Sequence, residues 1–352
     1  MQNPTTTTRN TYLDIIKGVL IISVVVGHCV QYGSGKAFLG SNLFFDNWLF
    51  KFIYSFHMPL FMLVCGYFFA NSIERRSWKE TLSKRLKSLL IPIIIWSVIP
   101  ISLLISRVIK HGIPEEITFI DTAQKIINII TNNLWFLWAV LYNSLIVLFV
   151  HKALKDNLWA YAVIFILLFF APDAMHLHCF MYPYFVLGYL YNKRFGQSKT
   201  IKNLQQKGGG WLPLAITGAI FFVMLLFFER KHYIYISHYN ILNGNTLHQL
   251  GINIYRFTIG LIGSLFILLG TRELHKLIGD RRGVLAYLGR NTIGIYIISS
   301  YLNTLLLDIC KKIGGPNYLY IIIESTVIIA LSLSVVALIK RSRTASQLLL
   351  GS

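Results

Sequence analysis

Charged residues are scarce in this chain, at 13% of the sequence against 55% hydrophobic residues. Soluble domains carry roughly 25% charged residues, so this composition excludes an ordinary soluble protein. Acidic residues are the rarest, with 14 Asp+Glu against 33 Lys+Arg and a net charge of +19. A basic excess can indicate nucleic-acid binding. Here most basic residues fall in loops on one side of the apolar segments, so we interpret the excess as membrane topology and expect no nucleic-acid partner.

Cysteines are also few, and their spacing is uninformative. Cys29, Cys65, Cys179 and Cys310 each lie within or near an apolar stretch. They match no metal-ligand spacing and no disulfide framework, so we expect small buried hydrophobic residues and no metal. The sequence also lacks a P-loop, a dinucleotide fingerprint, a zinc motif and a Gly-x-Ser-x-Gly elbow.

Long apolar segments dominate what remains, and a helix needs about 20 such residues to cross a bilayer. Ten are present, at about 13–31, 52–70, 89–106, 134–150, 158–171, 179–191, 211–228, 253–270, 286–303 and 318–339. They predict an all-α polytopic membrane protein, a bundle of about ten transmembrane helices in the lipid bilayer. The basic loops and the even number of segments favour both termini in the cytoplasm. We expect a single transmembrane domain over 1–352, with a short polar tail at 1–8, no cleavable signal peptide and no separate soluble domain.

The first apolar segment contains Asp14, Lys17 and His28. Lys17 and His28 are eleven residues apart, which places them on one helix face about 16 Å apart along the axis. Ionisable groups in a membrane are costly and usually face a functional path. The alternative is a set of helix-end charges plus one buried, hydrogen-bonded histidine.

The second segment contains His57 close to Pro59. A proline inside a helix removes a backbone hydrogen bond and kinks the helix, which widens the space around the neighbouring imidazole. A kink beside a satisfied core histidine explains the pattern equally well.

A basic run follows this segment, and most of it suits anchoring at lipid headgroups. Its residues are Arg75, Arg76, Lys79, Lys84, Arg85 and Lys87. The functional alternative is a phosphate-binding platform at the cytoplasmic mouth, to which the residues nearest the membrane would contribute.

Three further runs contain aromatic or small residues: 132–138 with Trp135, 184–190, and 288–296. By themselves they indicate aromatic belts and helix-packing surfaces. Taken together and in order, all these motifs resemble the integral-membrane acyltransferase-three family of bacterial sugar and polysaccharide O-acetylases, over about residues 9–340. The runs 14–28 and 56–61 are most similar to its fucose 4-O-acetylase-like branch.

The resemblance implies ten helices, acetyl-CoA as donor substrate at the cytoplasmic face, and a sugar or polysaccharide hydroxyl as acceptor. The family commonly has arginine where this chain has Lys17, which keeps the charge and loses the bidentate fork. Near the place of a frequent family histidine this chain has Ser299, so we assign no catalytic role to the ninth segment. Family members with a fused extracytoplasmic domain are a poor match.

Acyl transfer to a hydroxyl requires a base, and imidazole has the suitable intrinsic pKa. We therefore predict His28 as the base, with Asp14 and Lys17 paired at the inner end of the site. His57 and Trp135 are second candidates for catalysis or acceptor binding. Four basic residues, together with Lys17, are candidates for the CoA nucleotide: Arg9, Lys84, Arg85 and Lys87. Direct transfer and relay through an acetylated His28 both agree with these residues.

A transporter or flippase for a glycan or a small anionic solute is the competing prediction, since polar residues inside kinked helices suit one. Against it, the sequence shows neither repeated halves nor paired broken helices. A purely structural membrane component would not need the polar face of the first segment. We expect a multi-pass protein of the bacterial inner membrane, and a homo-oligomer is compatible with the sequence.

Overall fold

The computed structural model describes residues 11–33, 35, 39–111, 119–196, 210–242, 244–278, 283–306 and 317–352. All regular elements in these ranges are helical, which confirms the all-α prediction. The helices are α1 (Thr11–Tyr32), α2 (Trp48–Glu74), α3 (Trp78–Arg85), α4 (Ile91–His111), α5 (Phe119–Asn132), α6 (Trp135–Leu154), α7 (Leu158–Leu168), α8 (His176–Phe195), α9 (Trp211–Leu226), α10 (Ile234–Ser237), α11 (Thr246–Ile278), α12 (Gly283–Arg290), α13 (Thr292–Leu306), α14 (Tyr318–Ile339) and α15 (Arg343–Leu350). A π-helical turn, Leu86–Leu90, joins α3 to α4.

Six helical stretches of the described chain are long and apolar enough to cross a membrane. They are Thr11–Tyr32, Trp48–Glu74, Trp78–Lys110, Trp135–Leu154, Thr246–Lys276 and Tyr318–Ile339. Two shorter helices, α7 and α9, are also apolar. Each of the ten predicted segments lies on one or more of the observed helices. The chain is a polytopic, all-α membrane protein.

The ninth predicted segment, 286–303, is a pair of helices broken at Asn291. The Asn291 side-chain amide donates to the carbonyl of Tyr287 at 2.8 Å. The Thr292 hydroxyl donates to the carbonyl of Gly289 at 2.6 Å. Side chains that bond nearby carbonyls compete with the helical ladder, so this polar pair ends α12 and starts α13.

The chain divides into two compact units. Unit 1 contains Met1–Val64, Lys199–Arg230 and Arg256–Val336. Unit 2 contains Cys65–Ser198, Lys231–Tyr255 and Ala337–Ser352.

In unit 1, α1 and α12 pack backbone against backbone through two glycines. A Cβ atom added to Gly18 would collide with the carbonyl of Leu285, and one added to Gly289 would collide with the carbonyl of Asp14. Small residues permit such close approach between membrane helices. Gly18 and Gly289 therefore act as packing residues between α1 and α12.

In unit 1, α9 and α11 pack together because a phenylalanine ring of each helix lies against a glycine of the other. A Cβ atom on Gly218 would lie 2.9 Å from the Phe266 ring, and one on Gly263 would lie 2.7 Å from the Phe221 ring. Phe221 and Phe266 also contact each other, with ring centroids 5.7 Å apart. Van der Waals packing of this kind holds helices together where lipid offers no hydrophobic driving force.

Unit 2 contains a polar hub at the turn between α6 and α7. Asp156 accepts hydrogen bonds from the hydroxyls of Tyr161 at 2.7 Å and Tyr189 at 3.0 Å. Its carboxylate also contacts His151 and forms a salt bridge with Lys193. Because four groups on three helices share one carboxylate, the hub ties the ends of α6, α7 and α8 together.

Candidate active site

Helix α1 is continuous from Thr11 to Tyr32, so Lys17 and His28 lie on one face about 16 Å apart along its axis. At the start of this face, the Lys17 ammonium forms a salt bridge with Asp14 at 2.7 Å. The Asp14 side chain is 4% exposed and that of Lys17 is 21% exposed. The buried carboxylate is therefore compensated, while the ammonium keeps an accessible side.

His28 lies half-buried on the same face. Its Nδ1 atom is buried, and no described residue supplies a hydrogen-bond partner for it. The ring meets Tyr32 edge to face, with centroids 6.1 Å apart. The accessible part of this imidazole can reach a ligand, and its inner nitrogen is left unsatisfied by the described protein groups.

His57 on α2 is 3% exposed, and one contact fixes its tautomer. Its Nδ1 lies 2.7 Å from the carbonyl oxygen of Ile53. Because a carbonyl can only accept, Nδ1 carries the proton and Nε2 presents its lone pair. The Tyr54 ring lies 4.7 Å from the imidazole and restricts it further.

Pro59 lies inside α2, as expected for a proline within the second apolar segment. Pro59 has no N–H, so the helical hydrogen bond to the carbonyl four residues earlier, that of Ser55, is absent. This interruption comes two residues after His57, on the helix that carries its ring.

Helices α1 and α2 bring the two histidines together. A Cβ atom on Gly27 would lie 2.9 Å from the Tyr54 ring, so glycine is needed for this approach. The Tyr54 hydroxyl donates to Gln31 at 3.5 Å, which joins the helices a second time. His28 and His57 are close enough to interact electrostatically. Two residues predicted from separate motifs therefore share one cluster in unit 1.

The basic candidates lie in unit 2, at the junction of α3 and the π-helical turn. Lys84 and Lys87 are exposed, and Arg85 is half-buried. The Arg85 guanidinium lies over the Phe69 ring, 4.4 Å from its centroid. A cation–π contact of this kind holds the guanidinium plane in place. The fourth candidate, Arg9, lies outside the described residues.

Trp135 is half-buried and begins α6 in unit 2. The residue before it, Leu134, is buried with φ of 52°, in the left-handed region that bulky residues rarely adopt. The next tryptophan, Trp138, donates from Nε1 to the carbonyl of Ile130 at 2.8 Å. The tryptophans of this run are thus set by a strained helix start and a hydrogen bond to the preceding helix.

Sequence reasoning missed three buried polar residues of unit 1. Asn303 is 2% exposed, Glu324 is 6% exposed and Arg256 is 2% exposed. All three lie on apolar helices, and two are ionisable. The argument that singled out Lys17 and His28, a costly group inside a membrane span, would also have found Glu324 and Arg256.

Comparison with known proteins places these residues in a family. A family model described as the acyltransferase-three acyltransferase domain matches residues 10–341. The chain belongs to this family. Its polar α1 face and both histidines lie inside the matched region.

Two curated relatives of this acyltransferase-three chain are nodulation proteins called NolL. That of Mesorhizobium japonicum is 28% identical over 234 residues, which cover 65% of this chain and 59% of the relative. That of Sinorhizobium fredii is 33% identical over 187 residues, which cover 52% of this chain and 49% of the relative. The chain therefore spans about half to three-fifths of the length of these relatives. No solved structure matches it. Family and fold together define a polytopic, all-α membrane member of the acyltransferase-three family.

Proposed function

We propose that this acyltransferase moves an acetyl group from acetyl-CoA to a hydroxyl of a cell-surface or exported sugar or polysaccharide, in the bacterial inner membrane. The observation that carries the proposal is the pair His28 and His57 on the facing helices α1 and α2. Family membership supplies the acyl-transfer class, and the histidine pair supplies a base where the membrane offers few other ionisable groups.

The reaction needs one proton acceptor and no redox partner. The acceptor's hydroxyl oxygen attacks the thioester carbonyl carbon, while a base removes the hydroxyl proton. The carbon–sulfur bond then breaks, and the CoA thiolate leaves and takes up the proton. The products are an acetyl ester and free CoA.

His28 is the better base because it is the accessible member of the pair. A base must reach the hydroxyl within hydrogen-bond distance, and His57 is 3% exposed. The bond from Nδ1 to Ile53 fixes the orientation of His57. His57 therefore serves as a positioning residue that shapes the His28 environment.

Asp14 and Lys17 act at the other end of the α1 face. About three helical turns separate Lys17 from His28, so the pair does not orient the imidazole directly. We assign Lys17 to an anionic group of the donor, and Asp14 to holding the ammonium through the 2.7 Å salt bridge. As a lysine it acts as a point charge and makes no bidentate contact.

Arg85 is the first candidate for a donor phosphate in unit 2. Its guanidinium is positioned by the Phe69 ring, and arginine binds phosphate oxygens in pairs. Lys84 and Lys87, both exposed, add positive charge beside it. Trp135 is kept as a candidate for contact with the acceptor.

The test is release of free CoA thiol from acetyl-CoA by the purified protein in detergent, with and without added sugars. We expect His28→Ala to reduce transfer by about 10²–10⁴-fold, the usual contribution of a general base. His248→Ala is the matched control, since it removes an exposed imidazole at the start of α11. Full transfer by His28→Ala would refute the assignment of the base. A wild-type protein that releases no thiol would refute the enzymatic function and favour a transporter.

A further inference from the structure

An aromatic cluster joins α6 and α8 of unit 2 near their N-terminal ends. The Trp138 and Tyr142 rings lie one turn apart on α6 and stack, with centroids 5.2 Å apart and planes inclined by 20°. The Tyr142 ring also meets the His178 ring of α8 edge to face, with centroids 5.2 Å apart. Asn143 fixes the two helices at this level, because its side-chain amide donates to the carbonyl of His178 at 3.2 Å. Direct contacts therefore connect Trp138, Tyr142 and His178, which we call the aromatic platform.

Two polar groups of the aromatic platform lack a partner among the described residues. His178 is 9% exposed, and its Nδ1 atom is buried without a hydrogen bond to any residue that the structure describes. Tyr142 is half-buried, and its hydroxyl makes no hydrogen bond within the described ranges. A polar atom that is removed from water and left unsatisfied costs free energy, which lipid chains cannot restore. A ligand with hydroxyl groups would satisfy both.

Trp138 is oriented by the protein and not by lipid headgroups. Its Nε1 donates to the carbonyl of Ile130 on the preceding helix, at 2.8 Å. In an aromatic belt the polar tip of the indole instead faces the wet interface. Because its N–H group is already occupied and the residue is half-buried, Trp138 offers a ligand the apolar face of its ring.

The aromatic platform lies far from the basic loops of unit 2. His178 and Lys193 are fifteen residues apart on α8, which is about 22 Å along its axis. Tyr142 and Lys152 are ten residues apart on α6, about 15 Å. Basic loops mark the cytoplasmic side, where the anionic nucleotide of a CoA donor would bind. The position of the platform therefore favours the acceptor over the donor nucleotide.

We propose that Trp138, Tyr142 and His178 bind one pyranose ring of the acceptor. This inference rests on the proposed function and names residues that hold the sugar. A pyranose presents C–H groups on its face and hydroxyls around its rim. The face packs on the aromatic rings, and the hydroxyls, which both donate and accept, satisfy the Tyr142 hydroxyl and the His178 nitrogen. Ligand sites commonly combine aromatic walls with a few placed polar groups in this way.

The first test measures acetylation of methyl β-D-glucopyranoside and of glycerol by the purified protein, through CoA thiol release and acetyl ester formation. Both compounds have hydroxyls, and only the glycoside has a ring that can stack. Tyr142→Leu should raise the KM for the glycoside about tenfold, because contact area and stacking are lost together, while kcat changes less. His178→Phe keeps a ring, removes both nitrogens and should raise the same KM. The KM for glycerol should stay at the wild-type value in both variants.

The second test measures binding without catalysis, by saturation-transfer difference NMR of methyl β-D-glucopyranoside with the purified protein. Saturation of the protein's aromatic protons should reach the C–H protons of the sugar ring. The signal should disappear in Tyr142→Leu and persist in Tyr142→Phe, which keeps the ring.

Two matched controls remove rings outside the aromatic platform. Phe149 on α6 is 61% exposed and Trp159 on α7 is 79% exposed. Phe149→Leu and Trp159→Leu should both keep the wild-type KM and the wild-type NMR signal.

Three results would overturn the proposal: a Tyr142→Leu variant that behaves like Phe149→Leu, an equal rise in KM for glycoside and glycerol, or no saturation transfer to the glycoside in the wild type. The first and third together are the result expected if the rings only contact lipid. Absence of CoA thiol release by the wild type is a separate failure, because it refutes the proposed function. The NMR experiment then still decides whether the platform binds a sugar.

Discussion

Replacing Gly289 by alanine tests whether the contact between α1 and α12 is as close as described. The added methyl would lie 2.7 Å from the carbonyl carbon of Asp14 and 3.0 Å from the amide nitrogen of Gly18. Ordinary contacts of a Cβ atom are 3.4–4 Å. The Asp14 carbonyl oxygen is the nearest obstacle, closer than either of these atoms, and all three are backbone. The helices must therefore move apart by more than about 0.7 Å, and no rotamer change can relieve the clash.

Overpacking of this kind costs about 1–3 kcal/mol, which corresponds to about a 5- to 150-fold change in the folding equilibrium. The displacement also shifts the start of α1, where Asp14 pairs with Lys17. We therefore expect the denaturation temperature of Gly289→Ala to be several degrees lower than that of the wild type, and its rate of acyl transfer to be reduced. Thermal denaturation in detergent, followed by size-exclusion chromatography, measures the first effect.

The chain provides a matched control on the same helix. Gly283 begins α12, and a Cβ atom added to it would meet nothing within 4 Å. Gly283→Ala should be neutral or slightly stabilising, because alanine is the better helix former. If Gly289→Ala and Gly283→Ala denatured at the same temperature, the backbone contact inferred here would be wrong.

Three further predictions concern the polar groups. Lys17→Met removes the cation that pairs with the buried Asp14 carboxylate and should lower the free energy of unfolding by about 3–5 kcal/mol. Adding Asp14→Asn should restore most of this loss, as thermal denaturation would show, and equal stability of the single and double variants would contradict the prediction. Arg85→Met should raise the KM for acetyl-CoA about ten- to a hundredfold, because a charge-assisted hydrogen bond is lost. Arg85→Lys should give an intermediate KM. An unchanged KM in Arg85→Met would show that Arg85 does not bind the donor. His57→Ala should reduce kcat less than His28→Ala does, in the same thiol-release assay, and the reverse order would exchange their roles.

The helices themselves were readable from the sequence. Hydropathy and length located all ten segments, because a membrane helix must satisfy its backbone internally and be apolar for about 20 residues. The break at Asn291 was not predicted. A hydropathy window averages over single residues, and this break depends on two side chains that bond carbonyls of the preceding turn.

The site was partly readable, for a related reason. Costly groups inside apolar segments pointed to His28 and His57, and the structure brings these two together. The sequence did not show that Asn303 and Glu324 flank the same turn of α1, where they contact Cys29 and Gly33. Periodicity tells which residues of one helix share a face, and it does not tell which other helix meets that face. Glu324 could have been identified from the sequence as an ionisable residue in a membrane span. That its carboxyl group lies against Gly33 of α1 could not.

The glycine contact between α1 and α12 also limits how unit 1 can move. Side chains at most helix interfaces can change rotamer and let the helices slide, whereas two backbones in direct contact have no such adjustment. Here α1 and α12 must travel as one rigid piece. Any opening that admits a bulky sugar to His28 therefore has to occur on the other sides of α1, by displacement of α2 or of α13 and α14.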